Sequence, residues 1–313
     1  MTITVLSING WCRNGSTIIG NLLNEVEGWF HVGELHFLWK NAYGHGSNTK
    51  CGCGLDLVRC PIWSRVLAAE LPAGVTPEAH ALEVRRRQQT SLRTRHTWYV
   101  LHGGASSTAR REHAATLARV YREIAAATGC TVIVDTNKLP GEAALLSHVE
   151  GVEPRYVHLV RDPRAVAHSW MKPKDYAHAM SATRSTAYWV GFNIASQALV
   201  RTHPERSMFL RYEDFIAEPR PTLDRLIELS GGDPASNPLR GRTATLRGNH
   251  TVTGNPDRFR NGPTAIRNDD GSWRAALPLP AKVATVALAW PLMRRYGYSL
   301  EPDRSTRGSR TDR

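Results

Sequence analysis

The chain has 313 residues, 41% of them hydrophobic and 22% charged, which indicates a globular protein with a full core and excludes a disordered or membrane-embedded class. Its 40 basic residues outnumber its 28 acidic residues, giving a net charge of +12 that favours an anionic partner. No known DNA- or RNA-binding module accompanies this charge. A non-enzymatic nucleic-acid binder is therefore only an alternative that rests on charge, and no nucleic-acid partner is expected.

No targeting or membrane-spanning segment is apparent. The apolar residues 3–8 have no basic region before them, and the apolar residues 283–293 are interrupted by Pro291 and fall short of the roughly 20 residues that cross a bilayer. We therefore expect a cytoplasmic protein. The polar, arginine-rich residues 301–313 are expected to form a disordered basic tail.

Strands and helices alternate along the chain. Short β-branched or aromatic runs predict strands at residues 2–9, 131–135, 155–161 and 207–212. Helices are predicted at residues 16–25, 109–128, 164–171, 185–200, 221–229 and 281–296. This order predicts an α/β fold with a central parallel sheet flanked by helices. Residues 1–300 are predicted to form one domain, in which residues 35–105 are a helical or irregular insertion that covers the active site as an acceptor lid.

The first twenty residues form a strand, a glycine-containing turn and a helix start. Gly10 and Gly15 have the outer spacing of a triphosphate-binding loop, and Thr17 occupies the position of its hydroxyl residue. Ser16 replaces the lysine of that loop, and a different cation, Arg13, lies within the turn. The backbone N–H groups of such a turn and the helix dipole bind phosphate or sulfate.

A second strand-to-helix turn carries another cation. The strand ends at Arg161, Asp162 is suited to cap the next helix, and Pro163 is suited to its first position. Ser169 lies two turns along that helix, on the face that also carries the cap. Arg161 and Ser169 are therefore placed to bind one phosphate group.

These motifs resemble those of sulfotransferases that use 3′-phosphoadenosine 5′-phosphosulfate (PAPS), and they are nearer the bacterial and tyrosylprotein-type members than the cytosolic type. The first loop is similar to the family's 5′-phosphosulfate loop, Arg-Ser-Gly-Ser/Thr-Thr, with Asn14 in place of the usual serine. Residues 160–165 are similar to its 3′-phosphate motif. Residues 132–138, 211–215 and 254–267 follow in the family's order, so that the resemblance extends from residue 3 to about residue 298.

The resemblance implies a P-loop-like fold and transfer of a sulfuryl group from PAPS to a hydroxyl group of a small-molecule, lipid or glycan acceptor, without a metal ion. The residues that it assigns to PAPS binding are Arg13, Asn14, Gly15, Ser16, Thr17, Arg161, Ser169, Tyr212, Arg258 and Arg260, with Arg211 and Arg267 as neighbouring candidates. It also implies that Arg13 and Lys138 stabilise the charge that develops on the donor. Neither the acceptor nor the oligomeric state is indicated.

The acceptor hydroxyl must lose a proton, so a base is needed within hydrogen-bonding distance of it. Glu34 is the predicted base, because it resembles the Gly-Glu element that supplies the base in tyrosylprotein sulfotransferases. His36 is the rival, because the cytosolic class uses a histidine. Either residue is alternatively an ordinary polar group near the site.

A small-molecule kinase that uses ATP and Mg²⁺ is the main alternative function. Residues 132–135 match the apolar strand and metal-holding aspartate of such a kinase, with Asp135 as the aspartate. The missing loop lysine argues against it. A sulfuryl group also carries less charge than a triphosphate, so Arg13 and Lys138 can stabilise it without a metal ion.

Two further sets of residues have the chemistry of a binding site. Cys51, Cys53 and Cys60 have the chemistry to bind zinc with His36 or His45 as fourth ligand, but Cys-x-Cys is not the usual zinc-finger spacing. Reduced, buried thiols are the favoured interpretation, and no metal site is predicted. The aromatic residues that fit an apolar acceptor pocket, although they are more often found in a core, are Trp39, Tyr43, Trp63, Trp98 and Trp189.

Overall fold

Five parallel strands form the central sheet of the computed structural model, which describes residues 2–173, 178–267 and 271–301. The strands are β1 (Ile3–Asn9), β2 (Trp29–Gly33), β3 (Val132–Lys138), β4 (Val152–Val160) and β5 (Ser207–Arg211). Their order in the sheet is β2-β3-β1-β4-β5, and every neighbouring pair is parallel. The predicted basic tail lies outside the described residues, apart from Glu301.

Helices cover both faces of this sheet. They are α1 (Ser16–Leu23), α2 (Leu38–Ala42), α3 (Pro61–Glu70), α4 (Pro77–Ser91), α5 (Thr97–Gly103), α6 (Thr108–Thr128), α7 (Pro140–Leu145), α8 (Pro163–Met171), α9 (Ala182–Thr202), α10 (Tyr212–Ala217), α11 (Pro219–Leu229), α12 (Ser272–Ala276) and α13 (Leu279–Arg295). The six predicted helices are confirmed, with ends that differ by no more than three residues, and so is the predicted α/β class.

The strands are buried on both faces. Successive side chains of a strand point to opposite sides, so Val5 and Ile133 join one core cluster whereas Leu6 and Val134 join another. This explains why the strands are continuous apolar runs without polar alternation. All four predicted strands are present, but β2 was not predicted.

Residues 35–105 contain four of the helices, α2 to α5. Trp63, Val84 and Val100 from this segment belong to the same buried cluster as Val5 of the sheet. The segment therefore contributes to the core on one face of the sheet. It lacks clean periodicity in the sequence because its helices are short or bury an irregular set of residues.

A two-stranded antiparallel sheet, β6 (Thr243–Leu246) and β7 (Gly262–Ala265), lies late in the chain. The segment between these strands, residues 247–261, reaches the central sheet, where the Val252 N–H donates to the Val32 carbonyl at 2.9 Å. Among the described residues, no helix has both the length and the apolar character to cross a membrane.

Candidate active site

Three cations lie at the carboxyl ends of three adjacent strands. Arg13 follows β1, Lys138 ends β3, and Arg161 follows β4. Ligands of open α/β sheets bind beyond this edge, where the strand order changes direction. The three side chains line a cavity of about 360 Å³, here called the strand-end cavity. The other predicted site residues that line it are Asn14, Gly15, Ser16, Thr17, Glu34, Ser169 and Tyr212.

The turn after β1 depends on glycine. Gly15 has a φ of 93°, in the left-handed region that disfavours other residues, and it stands directly before the first residue of α1. A Cβ atom at this position would collide with the ring of Tyr212. Both backbone conformation and close packing therefore require glycine here.

Replacing Gly15 with alanine is expected to weaken binding of an anionic nucleotide by at least about tenfold, because the ring of Tyr212 must move away from the loop. Isothermal titration calorimetry with adenosine 3′,5′-bisphosphate measures this loss. In a Tyr212→Ala background the same substitution should cost less, because only the backbone strain remains. Equal costs in both backgrounds would show that the ring contact is not the cause.

Asn14 fastens the loop to the sheet. Its side chain is 1% exposed, its Nδ2 donates to the Leu159 carbonyl of β4 at 3.0 Å, and its Oδ1 accepts from the Ser16 N–H at 3.3 Å. The departure from serine therefore has a structural explanation: the longer amide reaches β4, which the sequence did not indicate.

Arg13 and Lys138 have an unusual backbone conformation. Their φ angles are 71° and 65°, and His45 is the only other non-glycine residue with positive φ in the described ranges. This conformation costs free energy outside glycine and is concentrated at functional sites. In β3, the pairing with β1 is also irregular where Asn9 lies opposite Lys138.

Lys138 is buried and forms an ion pair with Glu34. Its Nζ also donates to the Thr136 carbonyl at 3.0 Å. Burial is the largest single influence and would lower the pKa of Lys138, but the charge and hydrogen bond of Glu34, together with Cys12, outweigh it and raise that pKa above its usual value. Lys138 therefore carries a positive charge in the strand-end cavity at neutral pH.

Aromatic rings hold the two arginines of the cavity. The Arg161 guanidinium lies 4.6 Å from the ring centre of Tyr212, and the Arg13 guanidinium lies 4.7 Å from that of Trp170. The Arg161 Nη1 also donates to the Arg13 carbonyl at 3.4 Å. These contacts orient both cations beside the loop.

The predicted cap of α8 is confirmed. Asp162 Oδ1 accepts from the Arg164 N–H at 2.8 Å, and Pro163 is the first helical residue. Arg164 itself is buried and pairs with Asp162, with Nη2 at 2.7 Å from Oδ2. The motif therefore supplies one cavity cation, Arg161, whereas Arg164 stabilises the turn.

The late basic residues lie outside the strand-end cavity. Arg258 is 2% exposed, and its guanidinium donates to the carbonyls of Thr251 and Val252 at 3.1 and 3.3 Å. Arg260 is exposed and pairs with Asp257 at 3.0 Å. The two remaining candidates, Arg211 and Arg267, do not line the cavity either. Arg258 therefore contacts backbone carbonyls and Arg260 contacts Asp257, and neither lies where the predicted cofactor contact would place it.

Asp135 does not face the strand-end cavity. It is 1% exposed, accepts from the Tyr121 hydroxyl at 3.0 Å and from the Asn137 N–H at 2.9 Å, and burial raises its pKa to about 7. A carboxyl held beneath α6 in this way is unsuited to the metal-holding role that the kinase alternative gives it.

His36 belongs to a different group. Its Nδ1 contacts the carboxylate of Glu142, which is 2% exposed and also contacts His113 Nε2 at 3.2 Å. Burial favours a neutral Glu142, but the two histidines outweigh burial and hold the pKa of Glu142 far below its usual value. Glu142 was not predicted, although it stands only four residues after Lys138.

A second cavity of about 730 Å³, here called the apolar cavity, adjoins the first. Phe37 lines both, and Leu139 of the apolar cavity directly follows Lys138 of the strand-end cavity. Its other lining residues include His36, Leu92, Trp98, Tyr188, Phe192 and Ile194. Of the five aromatic residues predicted for an acceptor pocket, only Trp98 lines the apolar cavity. The other four belong to the core or pack against it: Trp39, Trp63 and Trp189 are buried, and Tyr43 is partly buried.

Comparisons with known proteins agree with this architecture. The chain resembles the sulfotransferase domain of the Synechococcus PCC 7002 olefin synthase, with 21% identity, 96% of each chain covered and a TM-score of 0.53. It resembles the sulfotransferase domain from the curacin biosynthetic pathway with 16% identity, 96% of this chain and 99% of that one covered, and a TM-score of 0.50. These likenesses support the fold. No curated protein gives a significant match.

Family membership comes from the sequence itself. A family model described as "Sulfotransferase family" matches residues 6–233, which include the loop after β1, the end of β3 and the Arg161 turn. This match covers well over half of the chain and the three strand ends that form the strand-end cavity. The chain therefore belongs to the sulfotransferase family and is an enzyme that transfers a sulfuryl group.

Proposed function

We propose that the strand-end cavity binds PAPS and that the enzyme transfers the sulfuryl group of PAPS to a hydroxyl group. The observation that carries this proposal is that the turn after β1 lines one cavity together with Arg161 and Ser169, so that two groups suited to bind anions face the same space. A nucleotide with phosphate groups at both its 5′ and its 3′ positions matches this pair. ATP has no 3′-phosphate for the second site.

In this proposal, the backbone N–H groups of residues 14–17 bind the 5′-phosphosulfate at the start of α1, where the phosphosulfate replaces Asn14 Oδ1 as the acceptor of the Ser16 N–H. Arg161 and Ser169 bind the 3′-phosphate, with the ring of Tyr212 between Gly15 and Arg161. Arg13 and Lys138 stabilise the negative charge that builds up on the leaving phosphate as the S–O bond to the donor breaks.

Glu34 accepts the proton of the attacking hydroxyl in this scheme. It lines the strand-end cavity next to Lys138, whereas His36 lines the apolar cavity and contacts Glu142. The base must stand where the donor sulfur and the acceptor oxygen meet, and the position of Glu34 beside Lys138 in the strand-end cavity supports this role.

The acceptor is proposed to enter through the apolar cavity. Apolar and aromatic side chains make up most of its lining, and it shares Phe37 with the strand-end cavity that Lys138 and Glu34 line. A phenol, lipid or other hydroxyl compound with an apolar body suits these walls. An unsubstituted sugar, which has no apolar body, fits these walls least.

The proposal is tested by thermal unfolding with adenosine 3′,5′-bisphosphate, the product of the donor. At 100 times its dissociation constant we expect stabilisation of about 2.7 kcal/mol and a rise in Tm of about 5 °C. Arg161→Ala should lose most of this rise, because one phosphate loses its cation. Arg206→Ala removes a half-buried arginine that pairs with Glu205 and does not line the strand-end cavity, so this variant should retain the rise in Tm.

ATP with Mg²⁺ is the comparison ligand in the same experiment. We expect a clearly smaller shift, since ATP leaves Arg161 and Ser169 without a phosphate. If ATP with Mg²⁺ stabilised the enzyme more than adenosine 3′,5′-bisphosphate, a nucleoside triphosphate would be the ligand and the proposal would be wrong.

A further inference from the structure

Three cysteines and a histidine from distant parts of the chain meet beside the segment between β6 and β7. The ligand atoms of Cys51, Cys53, Cys60 and His250 all lie within 4.8 Å of one another. Cys51 and Cys60 are buried, Cys53 is exposed, and His250 is half-buried. The sequence had indicated the cysteines, but His250 takes the place of the two histidines considered with them. His36 contacts Glu142 instead, and His45 is exposed.

The distances match a four-coordinate metal site. His250 Nδ1 lies 3.2 Å from the Cys60 sulfur and 3.7 Å from the Cys51 sulfur. A tetrahedral zinc ion with ordinary Zn–S and Zn–N bonds separates its sulfur and nitrogen ligands by about 3.6 Å and two sulfurs by about 3.8 Å. Small side-chain rotations bring the four atoms to these separations.

The backbone around the cluster is specialised for it. The Cys51 N–H donates to the Leu55 carbonyl at 2.7 Å and the Gly54 N–H to the Cys51 carbonyl at 2.9 Å, which forms a tight turn around Cys53. Between the first two cysteines, Gly52 lies so close to Asn249 that a Cβ atom would collide with its side chain. The two ligand segments are therefore built to approach each other.

His250 is held in place by its neighbours. Its backbone carbonyl accepts from Trp63 Nε1 at 2.5 Å, and its ring stacks on Phe30 with the ring centres 6.4 Å apart. These contacts leave Nδ1 directed at the sulfur atoms. Fixed orientation of a ligand histidine is characteristic of metal sites.

We infer that Cys51, Cys53, Cys60 and His250 bind one zinc ion as a structural site. Three thiolates and one imidazole are the ligands that zinc prefers, and four protein ligands leave no open position for a substrate. Arg258 is a buried cation whose guanidinium donates to the carbonyl of Thr251, the residue after His250, so its charge partly offsets the surplus negative charge of such a site. The site is separate from the strand-end cavity, which none of the four ligands lines.

The zinc ion would join two segments that form one wall of the strand-end cavity. Asn48 stands just before the first cysteines, and Thr253 and Gly254 follow His250; all three line the cavity. Arg258 Nη2 donates to Asn48 Oδ1 at 2.6 Å, so the two segments are already in contact next to the cluster. Zinc therefore stabilises this wall without entering the reaction. Zinc binding itself does not rest on the proposed function.

The test measures metal in the full-length protein, purified with reduced thiols and reconstituted with zinc. Mass spectrometry for metals should find about one zinc per chain, and cobalt in its place should give the intense visible absorption of a tetrahedral thiolate site. Cys60→Ser and His250→Asn should lose the metal. Cys130→Ala, which removes a buried cysteine outside the cluster, should retain it.

Cys53→Ser keeps the test decisive if the buried variants fail to fold, because Cys53 is exposed. We expect circular dichroism to show that this variant is folded. Competition with a chelator should show that it has lost more than about 100-fold in zinc affinity, which exceeds the loss of about 10- to 100-fold typical of substitutions outside the ligand shell. Zinc far below one per chain in the reconstituted wild type would overturn the inference. Zinc binding that is unchanged in both Cys53→Ser and His250→Asn would also overturn it. A disulfide between Cys51 and Cys60 in the metal-free protein would overturn it as well.

Discussion

Replacing Lys138 with methionine is expected to lower kcat by about 100- to 1,000-fold, the usual cost of removing one group that stabilises developing negative charge. Lys138 is the buried cation at the junction of the two cavities, and its positive charge is sustained by Glu34. Methionine keeps most of the side-chain volume and removes only the ammonium group. The loss should therefore appear in kcat much more than in donor affinity.

This prediction is measured with radiolabelled PAPS and an acceptor found by screening phenols and alcohols with apolar bodies. Lys172→Met is the matched control, because Lys172 is exposed and should not change kcat. Calorimetry with adenosine 3′,5′-bisphosphate shows whether the variant still binds nucleotide. Full activity in a folded Lys138→Met enzyme would remove Lys138 from the mechanism.

Replacing Glu34 with glutamine is expected to lower kcat by about 100- to 10,000-fold, the range attributed to a lost general base. Glutamine has nearly the same shape and can still accept a hydrogen bond from Lys138, so the cavity should keep its form. It also removes the negative charge that raises the pKa of Lys138, so part of the loss in kcat comes from a weakened Lys138 cation. Nucleotide affinity should change little, because Glu34 acts on the acceptor. The measurement is the same transfer assay, with binding followed separately.

His36→Asn is the informative comparison for the base. It removes the imidazole that contacts Glu142 but leaves the strand-end cavity intact, so we expect a smaller loss of kcat and a larger change in KM for the acceptor. The reverse ranking, with His36→Asn inactive and Glu34→Gln active, would assign the proton transfer to His36 with Glu142 as its orienting partner.

Features that are local in sequence could be predicted. The turn after β1 and the Asp162 cap are each encoded within a few consecutive residues, through glycine spacing and helix N-terminal preferences. Because parallel strands end at one edge of a sheet, the convergence of Arg13, Lys138 and Arg161 also followed once the strands were recognised.

Features that depend on contacts between distant parts of the chain could not be predicted from the sequence. Glu142 meets His36 across 106 residues, and His250 meets Cys60 across 190 residues, with no periodic pattern that links either pair. Arg258 lies in a polar segment typical of an exposed loop, yet it is buried and its guanidinium donates to backbone carbonyls. The short strand β2 was missed although Trp29, Phe30 and Val32 favour a strand, so its β signal is present in the sequence.

A crystal structure with adenosine 3′,5′-bisphosphate tests the central claim most directly. The account predicts the 5′-phosphate on the backbone N–H groups of residues 14–17, and the 3′-phosphate within hydrogen-bonding distance of Arg161 and Ser169. It also predicts Lys138 and Glu34 facing the space beyond the 5′-phosphate, towards the apolar cavity. A nucleotide bound elsewhere, or bound with its 3′-phosphate away from Arg161, would contradict the account.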